Sequence, residues 1–350
     1  MFLILAHHYV YLNASSILNV PMGPARFIMH FFLVGAGKVG VVIFFAITAW
    51  FLLDGSHSLR KNCRSAWILD RQVLFYSVVI TAVSGLLGSG GGTSLAKSFL
   101  PLSLSVWWYP TCYVLFLLIE PLIYAGISTI GREKHLALCV MILIVYGGLA
   151  FIPDAFDVTH TPLLFVFIYV LMAAYKWYFR PAPVKALGAL VVAGYVLAVP
   201  YFVLACIKGS VGFHILGMGL SIPTLCVGFG VFLLFQRIHF NSAFVNCLAS
   251  CSFGVYLISE HPLVREFLWH RFFTLDVVAS WGPLLLMSFV ALVVLYLVLS
   301  AIDGLRQGLF VLTIDRHKGW LFNYVWDSLV ERRIKPGLAA IITKYGRREA

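Results

Sequence analysis

The chain has 350 residues, of which 61% are hydrophobic, 15% aromatic and only 11% charged, against about 25% charged in an ordinary soluble domain. With a mean hydropathy of +0.94, this composition excludes a soluble globular enzyme, a disordered chain and a secreted disulfide scaffold. The 25 Lys and Arg exceed the 14 Asp and Glu by 11. No polar basic domain carries that excess, so it speaks for the cytoplasmic loops of a membrane protein and against nucleic acid as a partner.

A membrane span needs about 20 apolar residues. On that rule the sequence predicts an all-α, polytopic bundle of about ten transmembrane helices in the lipid bilayer. They lie near 1–19, 36–54, 67–87, 107–128, 136–152, 161–179, 186–206, 214–235, 250–269 and 281–304. Residues 1–304 form this bundle, and 305–350 form a basic cytoplasmic tail. The first run follows Met1 directly, with neither a basic flank nor a small-residue cleavage site, so it is expected to stay in the mature protein. Asn13-Ala14-Ser15 is a glycosylation sequon by letters alone. Residues 25–35 read as a short interfacial helix.

Gly35-Ala36-Gly37-Lys38-Val39-Gly40 matches a GxGxxG string. It leads into a membrane span rather than sitting between a strand and a helix, and Val39 stands where a phosphate loop needs Ser or Thr. Glycines that let two helices approach closely are the better reading. The loop 55–66 holds Arg60, Lys61 and Arg64, with Arg71 just inside the next span. Gly88 to Gly92 reads as a flexible outer loop. Trp107, Trp108 and Tyr109 read as an aromatic belt at the outer surface.

Alternate connections then carry Arg132 and Lys134, next Lys176, Arg180 and Lys185, and next Arg237. The tail adds nine Lys and Arg against four Asp and Glu, a net of +5. The opposite side holds Arg26, Lys38, Lys97, Lys208, Arg265 and Arg271, and gathers Asp154, Asp157, Glu266 and Asp276. The positive-inside rule puts both termini in the cytoplasm of a plasma-membrane protein. In the tail, Leu321, Val325 and Leu329, flanked by Trp320 and Tyr324, oppose Asn323, Asp327 and Glu331. That pattern predicts an amphipathic helix lying on the membrane.

The seven cysteines have no CxxC pair and fall mostly in apolar runs, where a thiol behaves as a small hydrophobe. No metal site is expected, because His7 and His8 lack ligand spacing and have no nearby companions. Ionisable residues inside a membrane are costly and usually face the bundle interior. The short list is His7, His8, His30, Glu120, Glu260 and His261, and together they suggest a polar cavity. His7 and His8 differ by about 100° around a helix, so only one is expected to point squarely inward. An imidazole there suits a general base that activates a hydroxyl. It equally suits a proton relay in a transporter, so residue type alone leaves both open.

Four passages bear a resemblance to a known family. They are Ile4-Leu5-Ala6-His7-His8-Tyr9, then Gly37 to Val41 with Phe44 to Leu52, then Trp108-Tyr109 through Tyr113, Leu115 and Glu120-Pro121, and finally Phe253 to Ile258 with Pro262 to Arg265. In order and spacing the chain resembles the polytopic acyltransferase family 3, and within it the exopolysaccharide-modifying members. The resemblance implies an integral membrane O-acyltransferase. It would move an acyl group, usually acetyl, from cytoplasmic acyl-CoA to a hydroxyl of a cell-envelope glycan or its lipid-linked precursor. No bound cofactor is implied, since acyl-CoA is a substrate.

His7 corresponds to the family histidine, with His8 next in line. Arg60, Lys61, Arg64 and Arg71 are candidates for the donor's phosphates. Trp108, Glu120 and Glu260 are candidates for substrate contact or for orienting the base. The family's upstream arginine has no counterpart among the six residues before His7, and an in-frame basic extension upstream of Met1 is expected. Ile47-Thr48-Ala49-Trp50 stands where Ser-Gly is commoner, Ser259 stands where many members have histidine, and no periplasmic domain is expected after the bundle. Two other classes compete: a transporter or flippase-like factor, and a non-catalytic partner of polysaccharide-assembly proteins. A transporter should show related halves with paired broken helices, and no such repeat is visible.

Overall fold

The computed structural model describes residues 1–17, 19–29, 35–88, 95–148, 152, 158–208, 221–238, 240–317 and 319–337. His30, Ser89 to Gly92, Asp154, Asp157 and the tail beyond Gly337 lie outside the described residues. Among the described residues every regular element is a helix and there is no strand.

In chain order α1 is Phe2–Leu12, α2 Gly35–Leu52, α3 Leu59–Leu86 and α4 Trp108–Thr129. Next come α5, Arg132–Ile142, running on as the π-helical turn Leu143–Gly147, then α6, Pro162–Tyr178. They are followed by α7, Val184–Lys208, and α8, Ile222–Phe235. α9 is Ala243–Ser259, and α10 is Pro262–Phe272. α11 is Leu284–Leu312, and α12 is Trp320–Val325, extended by the π-helical turn Trp326–Ile334.

Local chemistry sets several helix starts. Ser58, Ser221 and Ser242 each accept a backbone N–H three residues on, so α3, α8 and α9 begin on side-chain caps. Pro162 opens α6 where its missing N–H costs nothing.

All ten expected segments contain helix, but length separates them. Among the described residues four helices, α2, α3, α4 and α11, are long and apolar enough to cross a membrane. α9 and α10 make a fifth if their bent pair counts as one span. The remaining apolar helices are shorter: Phe2–Leu12, Pro162–Tyr178, Val184–Pro200 and Ile222–Phe235. An 11-residue helix such as α1 is about 17 Å long, roughly half the hydrocarbon thickness. The structure therefore supports a membrane protein with four to five candidate spans.

The ninth expected span is not a continuous helix. α9 and α10 meet at 79°, at Glu260 and His261. Pro262 cannot donate the next helical bond and pushes its predecessor out of the helical region. His261 accordingly has extended backbone and caps α10, its Nδ1 accepting the Leu263 N–H at 3.3 Å. The break places two ionisable side chains inside the bundle.

α1 lies between α2 and α11. A Cβ on Gly37 would collide with His7, and one on Gly40 would come within 2.9 Å of Ile4. The glycine string therefore serves close helix packing. On the opposite face Tyr9 OH and Ser288 Oγ share a 3.0 Å hydrogen bond. Asn13 is buried: its amide donates to the carbonyls of Tyr9 and Phe273 at 2.8 and 3.2 Å, and its Oδ1 accepts from the Leu275 N–H. Its side chain is thus engaged in packing, not presented as a glycan acceptor. Phe45, Phe116 and Phe165 form the apolar centre between α2, α4 and α6, with ring centroids 4.5–6.3 Å apart.

Candidate active site

A cavity of about 340 Å³ opens beside α1, within the size range of small-molecule sites. Ile4, His7, His8, Tyr11 and Leu12 line it along one side. At about 100° per residue, these positions sweep an arc of roughly 140°. That arc is wide enough for both histidines to face the cavity, against the expectation that only one could.

The two imidazoles have different neighbours. His8 Nδ1 stands 2.9 Å from Glu260 Oε1, an ion-pair distance whose alignment falls short of a hydrogen bond. Glu260 is 8% exposed and comes from the α9–α10 break. His7 stacks on Tyr11, with centroids 5.4 Å apart and planes 17° from parallel, and lies against Gly37. The two histidine rings are 5.3 Å apart. His261, also buried, packs edge-on to Trp107 at 5.3 Å.

The rest of the wall mixes rings and cations. Lys38 Nζ approaches His160 Nε2 to 3.1 Å and sits 5.2 Å from the Trp108 ring centroid. Arg265 reaches the cavity from α10. Trp108, a candidate for substrate contact as well as for the aromatic belt at the outer surface, lines the cavity, and Trp107 and Tyr109 are buried. The Trp107 indole N–H is satisfied by the Leu257 carbonyl at 3.1 Å, which lets the ring leave the membrane interface.

Glu120 belongs to a different cluster. Fully buried in α4, it accepts from Asn62 Nδ2 at 2.8 Å and Tyr169 OH at 2.7 Å, and His57 Nδ1 stands 2.7 Å from its Oε1. His57 in turn stacks on Tyr124 at 3.3 Å. Twelve residues along α4 separate Glu120 from Trp108, about 18 Å, so Glu120 does not orient the α1 histidines.

Three of the four basic residues expected to hold donor phosphates are engaged by the tail. Arg60 pairs with Asp327 and Arg71 with Asp315, each at 3.0 Å, and Arg64 packs on Gly319. Lys61 is exposed beside Gly55.

Sequence reasoning missed a further centre. Asp303 in α11 is fully buried and accepts from Tyr76 OH at 2.6 Å, Arg306 Nε at 2.7 Å and Gln307 Nε2 at 2.8 Å. It lies at the C-terminal end of the last expected span, three residues before Arg306; an acid–base pair at that spacing on an apolar helix was the available signal. Among the described residues no group of three His, Cys, Asp or Glu is placed to hold a metal ion, and the six described cysteines are free.

Neither the curated proteins nor the solved structures include a match to this sequence. The acyltransferase domain of acyltransferase family 3 matches residues 1–302. That covers α1 to α10 and most of α11, including α1 with its two histidines and the α9–α10 break that carries Glu260, so the chain belongs to acyltransferase family 3.

Proposed function

We propose that this protein is an integral membrane O-acyltransferase that moves an acyl group, most simply acetyl, from acyl-CoA to a hydroxyl of a cell-envelope glycan. The observation that supports it is the His8–Glu260 pair, 2.9 Å apart on a cavity within a bundle of the acyltransferase family. A base oriented by a carboxylate is the recurring device for activating a hydroxyl nucleophile. The neighbouring carboxylate supports His8 as that base.

In this reading the acceptor hydroxyl gives its proton to His8 as its oxygen attacks the thioester carbonyl. The C–S bond breaks as the C–O bond forms, and His8 returns the proton to the departing thiolate. Glu260 holds the imidazole in register and balances its transient positive charge. His7, stacked on Tyr11, shapes the adjoining wall. The thioester already has a good leaving group, so the protein mainly aligns donor and acceptor and excludes water. The donor's phosphates meet the basic start of α3, where Arg60, Arg64 and Arg71 must exchange tail contacts for phosphate.

The bundle is placed in the plasma membrane with ten crossings and both ends in the cytoplasm, the shorter helices completing their crossings with flanking residues. Glycan acyl analysis by mass spectrometry, in a deletion strain complemented with wild type, His7→Ala or His8→Ala, tests the proposal. Acylation restored by wild type and lost with His8→Ala supports it. Acylation unchanged by deletion, or retained in both variants at normal protein level, overturns it.

A further inference from the structure

Arg60, Arg64, Trp67 and Arg71 recur along α3 at the spacing of one helix face. At about 100° per residue they share an arc of roughly 60° and about 17 Å of helix length. The tail covers all four. Asp327 stands 3.0 Å from Arg60, Gly319 lies against Arg64, the Phe322 ring is 6.5 Å from that of Trp67, and Asp315 stands 3.0 Å from Arg71. Gly319 has a φ of +85°, and a Cβ there would come within 2.8 Å of Arg64 Nε, so the tail turns onto the stripe at a position that suits glycine.

The cover fits the stripe incompletely. Arg71 donates through Nη2 to Asp315 but keeps a buried Nε with no hydrogen-bond partner. The Arg60–Asp327 pair is about half exposed on both sides. A phosphate carries more oxygens than a carboxylate and can fill both positions of a guanidinium fork. An indole face stacks on a nucleobase whatever its sequence. Three guanidinium groups spaced around an indole are thus the complement of a nucleotide, and two carboxylates with one phenyl ring are a looser version of the same ligand.

We propose that this stripe seats the nucleotide end of acyl-CoA, with phosphates on Arg60, Arg64 and Arg71 and the base on Trp67, and that the tail is its internal competitor. Asp315 and Asp327 stand in for phosphates and Phe322 for the base, so the donor enters by displacing the tail. The inference rests on the acyl-transfer reading above; it adds Trp67 to the donor site and gives donor entry a regulator. A ligand that binds only the uncovered stripe shifts the tail toward release.

The purified full chain in phosphatidylcholine nanodiscs tests this without relying on transfer. The probes are CoA and pantetheine, the latter lacking the nucleotide, with affinity read by calorimetry and tail release by tryptic cleavage at Arg332 and Arg333. CoA should bind at least about tenfold tighter than pantetheine, the size expected of charge-assisted bonds, and should speed the cleavage. The double substitution Asp315→Asn with Asp327→Asn should speed cleavage without ligand and tighten CoA binding about threefold to tenfold, the scale of two partly exposed ion pairs. Trp67→Leu should also loosen the tail but weaken CoA binding about tenfold, a combination that loss of tail docking alone does not produce. Because the two aspartates lie in the tail, their variant keeps the test open if Trp67→Leu fails to fold.

Equal binding of CoA and pantetheine, cleavage that CoA leaves unchanged, or a double variant that binds CoA no tighter than wild type would each overturn the proposal. Release by phosphatidylglycerol nanodiscs alone, with no further effect of CoA, would assign the stripe to lipid headgroups and overturn it as well. Labelled acetyl-CoA and a glycan acceptor added to the same samples separate the two claims. CoA-driven release without acetyl transfer counts against the enzyme reading and leaves the nucleotide seat standing. Transfer with a CoA affinity indifferent to the tail and to Trp67 does the reverse.

Discussion

His8 has a carboxylate oxygen 2.9 Å from Nδ1, whereas His7 has a tyrosine ring stacked on it and a glycine behind it. If the carboxylate defines the base, His8→Ala should lower acyl transfer by about 10²–10⁴-fold, the usual contribution of general-base catalysis. Glu260→Gln keeps the shape and removes the charge. It should cost at least roughly tenfold in turnover with little change in acceptor binding, because its role is to orient the imidazole. His7→Ala should cost less than either. Steady-state rates with labelled acetyl-CoA measure all three, and a larger loss for His7→Ala than for His8→Ala would return the role to His7.

A second residue-level outcome concerns Asp303. It binds donors from Tyr76, Arg306 and Gln307 with no exposure of its own. Asp303→Ala leaves the Arg306 charge without its partner, a change that costs about 3–5 kcal/mol when such a pair is buried. Gly254→Ala sets a methyl against the Asp303 carboxylate, and overpacking of that kind costs about 1–3 kcal/mol. Thermal unfolding of the detergent-solubilised protein should show both, with Asp303→Ala the more damaging. An unchanged midpoint for Asp303→Ala would mean that the network is not structural.

At the level of elements, two features shape the site: the α9–α10 break and the docking of the tail. The break carries Glu260, which stands against His8 of α1. The tail packs Phe322 and Trp326 inward, Phe322 lying 6.5 Å from the Trp67 ring. Trp320, Leu321, Tyr324 and Leu329 remain exposed, as a face resting on lipid requires. Its two ion pairs differ in setting. Arg60–Asp327 is about half exposed on both sides, at 47% and 50%, while Arg71–Asp315 is 18% and 25% exposed. Exposed pairs contribute about 0–1 kcal/mol and are screened by salt. Asp315→Asn should therefore loosen the tail more than Asp327→Asn, seen as faster tryptic cleavage at Arg332 and Arg333 in nanodiscs. Equal cleavage of both variants and wild type would show that apolar packing alone holds the tail.

Across the whole molecule, the cavity and the basic surface sit at opposite ends of α2. Lys38 is near its start and the loop leading to Arg60 follows its end, and its 18 residues span about 27 Å. This arrangement suits a donor entering from the cytoplasm and an acceptor approached from the other side. It carries a topology prediction. Reporter fusions after Arg64, Arg132 and Lys185 should read as cytoplasmic, because the clustered Lys and Arg lie there. A fusion at Gly91 or Asp157 should read as outside. A cytoplasmic signal at Gly91 would overturn the ten-span arrangement and invert the assignment of the cavity to the outer end.

Composition and periodicity were enough to determine an all-helical membrane bundle, since an apolar run of span length has no other stable home. The same reasoning singled out His7, His8 and Glu260, because ionisable groups are rare in such runs and stand out. It placed Glu120 with them, and there it failed: a helical repeat says which residues share a face, not which helix that face meets. Asn62 and Glu120 are 58 residues apart, and Tyr9 and Ser288 are 279 apart. Pairings of that range depend on how the helices pack. Packing alone decided that both histidines face one cavity, that His8 has the carboxylate, and that the arginines of α3 hold the tail. The physical reason is that the cost of an ionisable group in the bundle can be met by several partners, and only the closed bundle selects among them.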